Sequence, residues 1–231
     1  MDPGRKTVIK DCIRMFASAF CAEKRLKIKV TPDDDAIDAA RFISLLSGRC
    51  EIGEYQGAAL IKPLKKRPAS SCAVMVPHAG RELFMLIAGI AAQMNIAVRF
   101  DHIEGGVTDE DLKHLADVTQ GQLCYGRKDG AVYINSMLYD ENPLFEICRE
   151  SAFTAGLCLG AVLARVSTLV CVPVGEEDEL LRFTLEVLAE NGVALETDAK
   201  TGETIIKTML YTRLPEKKPA DKKKKAPETE T

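Results

Sequence analysis

Ile9, Ile13, Phe16 and Phe20 recur at three- to four-residue spacing. That is the period of a helix with one buried stripe, and it predicts a helix over about 5–22. Leu26-Lys27-Ile28-Lys29-Val30 alternates and reads as a strand with one wet face. Thr31-Pro32-Asp33-Asp34-Asp35 then supplies a capping Thr, a Pro at the first helical position and acids that offset the helix dipole. The helix so opened runs to about Ser47, with Gly48 as its stop. Arg49–Tyr55 and Ala58–Leu64 form a hairpin about Gln56-Gly57.

The C-terminal part follows the same order. A helix over about 143–164 leads into the strand Thr168–Val172. Pro173 and the acids Glu176, Glu177 and Asp178 open the next helix, whose stripe is Leu181, Leu185 and Leu188. Asn191-Gly192 stops it, and a hairpin turns at Thr201-Gly202. The shared order reads as an internal duplication.

The middle reads as a third, partial copy: strand Cys72–Val76 closed by Pro77, helix Gly80–Met94 and strand Ile96–His102. An extra helix over about 109–118, capped by Thr108, and a hairpin at Asp129-Gly130 follow. The expected fold class is α+β: duplicated α-β-α-β-β units with mixed sheets, helices packed on one face and a disordered C-terminal tail. Four segments are expected: a first α/β unit (1–67), a middle α/β segment (68–142), a second copy of the unit (143–213) and a disordered Lys-rich tail (214–231).

Composition narrows the setting. The chain of 231 residues is long enough for a substantial core. The longest uncharged apolar stretch, Ser151–Ala164, is 14 residues, whereas a membrane span needs about 20. With no leader-like N-terminus, a cytoplasmic protein without a membrane partner is expected. Eight cysteines lie mostly inside apolar runs and form no CxxC pair, which reads as free core thiols. The net charge of −3 is uneven: seven Lys/Arg and four acids in 212–231 leave the body at −6. The tail lysines Lys222, Lys223, Lys224 and Lys225 are candidate nucleic-acid contacts.

The candidate chemistry sits in the middle segment. Two strand-to-helix junctions carry acids (Asp33–Asp35 and Glu176–Asp178), while the third reads Pro77-His78-Ala79-Gly80-Arg81. His78, Gly80 and Arg81 there have the composition of an anion-binding site at a helix start. His102 and Glu104, ahead of Gly105-Gly106, are candidate polar partners: a strand-end His beside a carboxylate can act as a base or a metal ligand. His114 is the third histidine. No local spacing supports a metal site, no nucleotide-binding or hydrolase motif is present, and no cofactor is expected. Gly156 and Gly160 make a small-xxx-small pair that implies close helix packing.

The run Phe153-Thr154-Ala155-Gly156-Leu157-Cys158-Leu159 and its counterpart Phe16-Ala17-Ser18-Ala19-Phe20-Cys21 resemble the helix of the LAGLIDADG homing-endonuclease scaffold. With Cys148-Arg149 ahead of the second, they are most similar to the degenerate scaffold of WhiA-type bacterial regulators. The family's metal-binding acids would fall near Lys24 and Ala161, so the resemblance implies a protein without nuclease activity. Two functional readings follow. The first, leaning against an enzyme, is a noncatalytic binding or regulatory protein contacting nucleic acid or a protein partner. The alternative is a small-molecule enzyme or ligand-binding protein using an anion site at the His78–Arg81 helix start.

Overall fold

The computed structural model describes residues 3–21, 27–30, 33–47, 51–55, 58–63, 73–94, 96–137, 150–163, 170–173, 178–197 and 203–206. The Lys-rich tail, including Lys222–Lys225, lies outside them, as do Cys148-Arg149 and the acids Glu176 and Glu177.

Three units follow one another. The first comprises α1 (Pro3–Cys21), β1 (Ile28–Val30), α2 (Asp34–Ser47), β2 (Glu51–Tyr55) and β3 (Ala58–Lys62). The middle unit opens with β4 (Ala73–Gly80) and continues through α3 (Arg81–Ala92), β5 (Ala97–Glu104), α4 (Asp109–Val118), β6 (Leu123–Lys128) and β7 (Ala131–Ser136). The last contains α5 (Ser151–Leu163), β8 (Val170–Pro173), α6 (Glu179–Glu190), β9 (Leu195–Thr197) and β10 (Glu203–Ile206).

Each sheet is threaded alike: β1-β3-β2, β5-β7-β6 and β8-β10-β9, with β4 added beside β5. The β4–β5 pair is parallel, and every other strand pair among the described residues is antiparallel. The fold is therefore α+β with a mixed middle sheet. The middle unit is a full α-β-α-β-β copy with an extra leading strand, rather than a partial one.

This threading changes which junctions correspond. The counterpart of the β1–α2 and β8–α6 junctions is β5–α4, which also opens on acids: Asp109, Glu110 and Asp111. The His78–Arg81 junction belongs to the extra strand β4. That strand runs through Pro77 to Gly80 instead of stopping, because the ladder skips the position of Pro77, which has no N–H to donate.

Local signals explain most elements. The stripe Ile9, Ile13, Phe16 and Phe20 is buried, and Phe16 meets Phe42 of α2 at 6.0 Å. Asp33 caps α2 by accepting the N–H of Asp35 at 3.0 Å. Asp178 caps α6 through the N–H of Leu181 at 3.0 Å. The β6–β7 turn places Asp129 and Gly130 at φ 51° and 80°, the pair of positive angles a tight hairpin requires. In β4, Val74 and Val76 are buried while Met75 is exposed, so one face of the sheet meets the helices.

One continuous hydrophobic core runs through all three units. Helix α5 is buried along Ala152–Val162, and its close partner is α3. A Cβ on Gly156 would overlap the carbonyl oxygen of Leu86 and come within 3.0 Å of the Gly89 Cα. A Cβ on Gly160 would press against Gln93 at 2.9 Å. Among the described residues Cys12, Cys21 and Cys158 are buried, and burial pushes the Cys12 and Cys158 thiols well above the ordinary range.

Candidate active site at the carboxyl ends of the parallel strands

The parallel register sets His78 opposite His102 and Gly80 opposite Glu104. Both strands end on the same side, where helices α3 and α4 begin. In open α/β sheets this carboxyl-end edge is where ligands bind. The imidazoles of His78 and His102 stack with centroids 5.5 Å apart and an interplanar angle of 27°.

Helix α2 lies alongside β4 and contributes two carboxylates one turn apart. In a strand, alternate amides point to the same side, so the N–H groups of His78 and Gly80 both face α2. Asp38 accepts the first at 2.9 Å and Asp35 the second at 2.5 Å. Asp38 is buried at 3% exposure and also receives Arg41 at 2.7 Å. Asp35 comes so near that a Cβ at position 80 would lie 2.5 Å from its Oδ2 and make the carboxylate shift. Burial raises the Asp35 carboxyl above its ordinary value, and the Gly80 N–H opposes that rise. Asp35 Oδ1 stands 3.9 Å from His78 Nδ1.

Arg81, the first residue of α3, joins three helix starts. It holds Asp111 of α4 through two 3.0 Å hydrogen bonds and Glu150, just ahead of α5, at 3.1 Å. The hydrogen bonds to Asp111 raise Arg81 above its ordinary value and hold the Asp111 carboxyl well below the usual range. Asp111 also completes a capping box with Thr108. Glu104 turns outward to Arg5 of α1 at 2.6 Å.

His78, Gly80, Arg81, His102 and Glu104 thus share one edge. Asp35 was read only as a helix-start acid, and Asp38, Asp111 and Glu150 were not singled out. The i,i+3 spacing of Asp35 and Asp38 was the available signal. His114 lies on the exposed side of α4, and no group of three His, Cys, Asp or Glu among the described residues has a metal-holding arrangement. No described helix is long and apolar enough to cross a membrane.

No protein-family model and no curated protein matches this chain. Among solved structures it is similar to EPSP synthase from Acinetobacter baumannii, with a TM-score of 0.50 and 18% identity over 84% of this chain and 44% of that one. It is also similar to the enolpyruvyl transferase NikO from Streptomyces tendae, with a TM-score of 0.49 and 14% identity over 87% and 47%. This chain thus spans less than half the length of either.

The likeness to EPSP synthase is one of fold, and it corrects the resemblance drawn from the helices. The scaffold is not the two-halved LAGLIDADG arrangement of WhiA-type regulators. Gly156 and Gly160 serve a crossing of α5 with α3 rather than with α1, and there are three units rather than two. The noncatalytic regulatory reading with a nucleic-acid partner, drawn from the basic tail, and the leaning against an enzyme, drawn from missing motifs, are corrected too, since the fold is that of part of EPSP synthase. The chain shares its fold with part of an enzyme, EPSP synthase, at a TM-score of 0.50.

Proposed function

We propose that this chain acts as a small-molecule enzyme, or as part of one, with its site at the carboxyl edge of β4 and β5. The observation that carries the reading is the convergence of two histidines, an arginine and several carboxylates there, beside the helix starts of α3 and α4. Titratable groups gathered at such an edge are the usual material of proton transfer and substrate orientation. The fold likeness to an enzyme supports it, although a fold hosts many chemistries and the site must carry the argument.

His78, Gly80 and Arg81 are the anion-recognition element of this proposal. Their donors already hold carboxylate oxygens of Asp35, Asp38, Asp111 and Glu150. Asp35 and Asp38 keep the two main-chain amides, but the Glu150 side chain is 39% exposed and can give up Arg81 to a substrate phosphate or carboxylate. His102 and Glu104 line the same edge as polar partners.

A thermal-shift screen with inorganic phosphate and small phosphorylated or carboxylated metabolites tests the reading on wild type and Arg81→Lys. A ligand that binds the native state at 100 times its Kd adds about 2.7 kcal/mol, a shift of several degrees. Wild type should respond to at least one such anion and Arg81→Lys should respond less. No response by wild type at millimolar concentration sinks the proposal.

A further inference from the structure

From the geometry around Nδ1 we infer that His78 is the general base of this edge and that Asp35 is the positioning residue that fixes its tautomer. The inference rests on the enzyme reading above and deepens it. Nδ1 of His78 is shielded from solvent and has no hydrogen-bond partner. Such an atom costs free energy unless something completes it. The side chain as a whole is 32% exposed, so the ring is open on the side away from Nδ1. Asp35 Oδ1, at 3.9 Å, is the carboxylate oxygen that faces the shielded nitrogen. A side-chain torsion that closes about 1 Å makes this a charge-assisted hydrogen bond. Each carboxylate oxygen accepts two bonds, so the Gly80 N–H is kept.

Other groups around the ring leave this assignment intact. Asp38 is occupied by the His78 main chain and Arg41. Glu104 on β5 is paired with Arg5 of α1, and Arg81 with Asp111 and Glu150. Asp33 at the start of α2 caps its own helix, and Cys12 of α1 meets the Asp35 carbonyl at 4.0 Å. His102 lies against the ring face rather than its edge. The only carboxylate left for Nδ1 among these is Asp35.

The chemistry follows from the tautomer. With the proton on Nδ1 directed at Asp35, the Nε2 lone pair is free on the open side. It takes a proton from a substrate hydroxyl, and the oxygen–hydrogen bonding pair stays on the substrate oxygen as that atom becomes the nucleophile. The imidazolium formed is stabilised by the Asp35 carboxylate. That oxygen bonds to the electrophilic centre of a co-substrate, the bond from that centre to its leaving group breaks with the pair going to the leaving group, and the proton passes to it from Nε2, which restores neutral His78. The substrate class is a small hydroxylated molecule with an electrophilic co-substrate, and the transfer changes no oxidation state.

Imidazole 15N NMR decides the matter without a ligand. The chain has three histidines, so His78→Gln and His102→Gln assign the signals. In wild type, at a pH where His78 is neutral, the Nδ1–H tautomer should exceed the other by about tenfold, as one charge-assisted bond sustains. Asp35→Asn should erase that excess. A wild-type spectrum with the proton on Nε2 overturns the inference by itself, whether or not the variant folds. An unchanged ratio in folded Asp35→Asn overturns it as well. Since no anion is present, failure here is distinct from failure of the anion screen.

Discussion

The Asp38 carboxylate holds the main-chain N–H of His78 at 2.9 Å, across forty positions of sequence. One buried side chain thereby ties the helix of the first unit to the extra strand of the second. It is the firmest link between the scaffold and the candidate site.

Replacing Asp38 should be among the most costly polar substitutions. Asp38→Ala leaves a strand N–H and the Arg41 guanidinium without their acceptor, and an unsatisfied buried donor costs about 1–3 kcal/mol. Urea denaturation should show an unfolding free energy lowered by that amount, read as a lower midpoint with the m-value kept. An unchanged midpoint would mean that water replaces the carboxylate.

Asp35 should behave in the opposite way. Its carboxyl is raised in the folded state, so the fold favours the protonated form. The associated stability is full below the ordinary carboxylate value, near pH 4, and is lost as pH rises through the folded value. Asp35→Asn should therefore hold or slightly raise stability at pH 7, and it should flatten the stability profile just above pH 4. A clear loss at pH 7 would show that the Gly80 bond outweighs the burial cost.

Asp111 carries the reverse sign. Its carboxyl lies below the ordinary value because Arg81 and Thr108 hydrogen-bond to it. That stability is present above the ordinary value near pH 4 and disappears as pH falls toward the folded one. Arg81→Ala should reduce the acid sensitivity of wild type below pH 4. Thr108→Ala, which removes the helix cap and one of the lesser hydrogen bonds to Asp111, should cost about 1 kcal/mol and leave most of the acid sensitivity in place. Equal acid profiles for wild type and Arg81→Ala would count against the ion pair.

Gly156→Ala should destabilise by about 1–3 kcal/mol through overpacking, although Ala is the better helix former. The added methyl has the Leu86 carbonyl and the Gly89 Cα in its path. Chemical denaturation measures the effect. Stability equal to wild type would show that α3 and α5 can move apart freely.

The α1 stripe, the Asp129-Gly130 turn, the Thr108 cap and the Leu181–Leu188 face were legible because each is a local pattern that burial or a turn angle enforces directly. The correspondence between units was not. Pro77 looked like a strand end, yet β4 continues because a skipped ladder position tolerates a residue without an N–H. That error made the His78–Arg81 junction appear to be the odd member of a set whose true middle member is Asp109–Asp111. The site residues were half legible. His78, Arg81, His102 and Glu104 stood out by type, but their partners Asp35, Asp111 and Glu150 lie 30 to 69 positions from the groups they hold. The small residues of α5 announced a close crossing but not its partner, which only packing decides.

The carboxylates of α2 have one more consequence. Strand β4 is the last strand of its sheet on that side, and its outward amides at His78 and Gly80 are spent on side-chain oxygens rather than on a neighbouring strand. An open edge of this kind is a template on which other chains add and aggregate. While helix α2 is docked, its carboxylates close the His78 and Gly80 amides to a foreign strand. Loss of α2 from the sheet would free both amides, so the helix guards the edge of the middle sheet as well as placing its carboxylates.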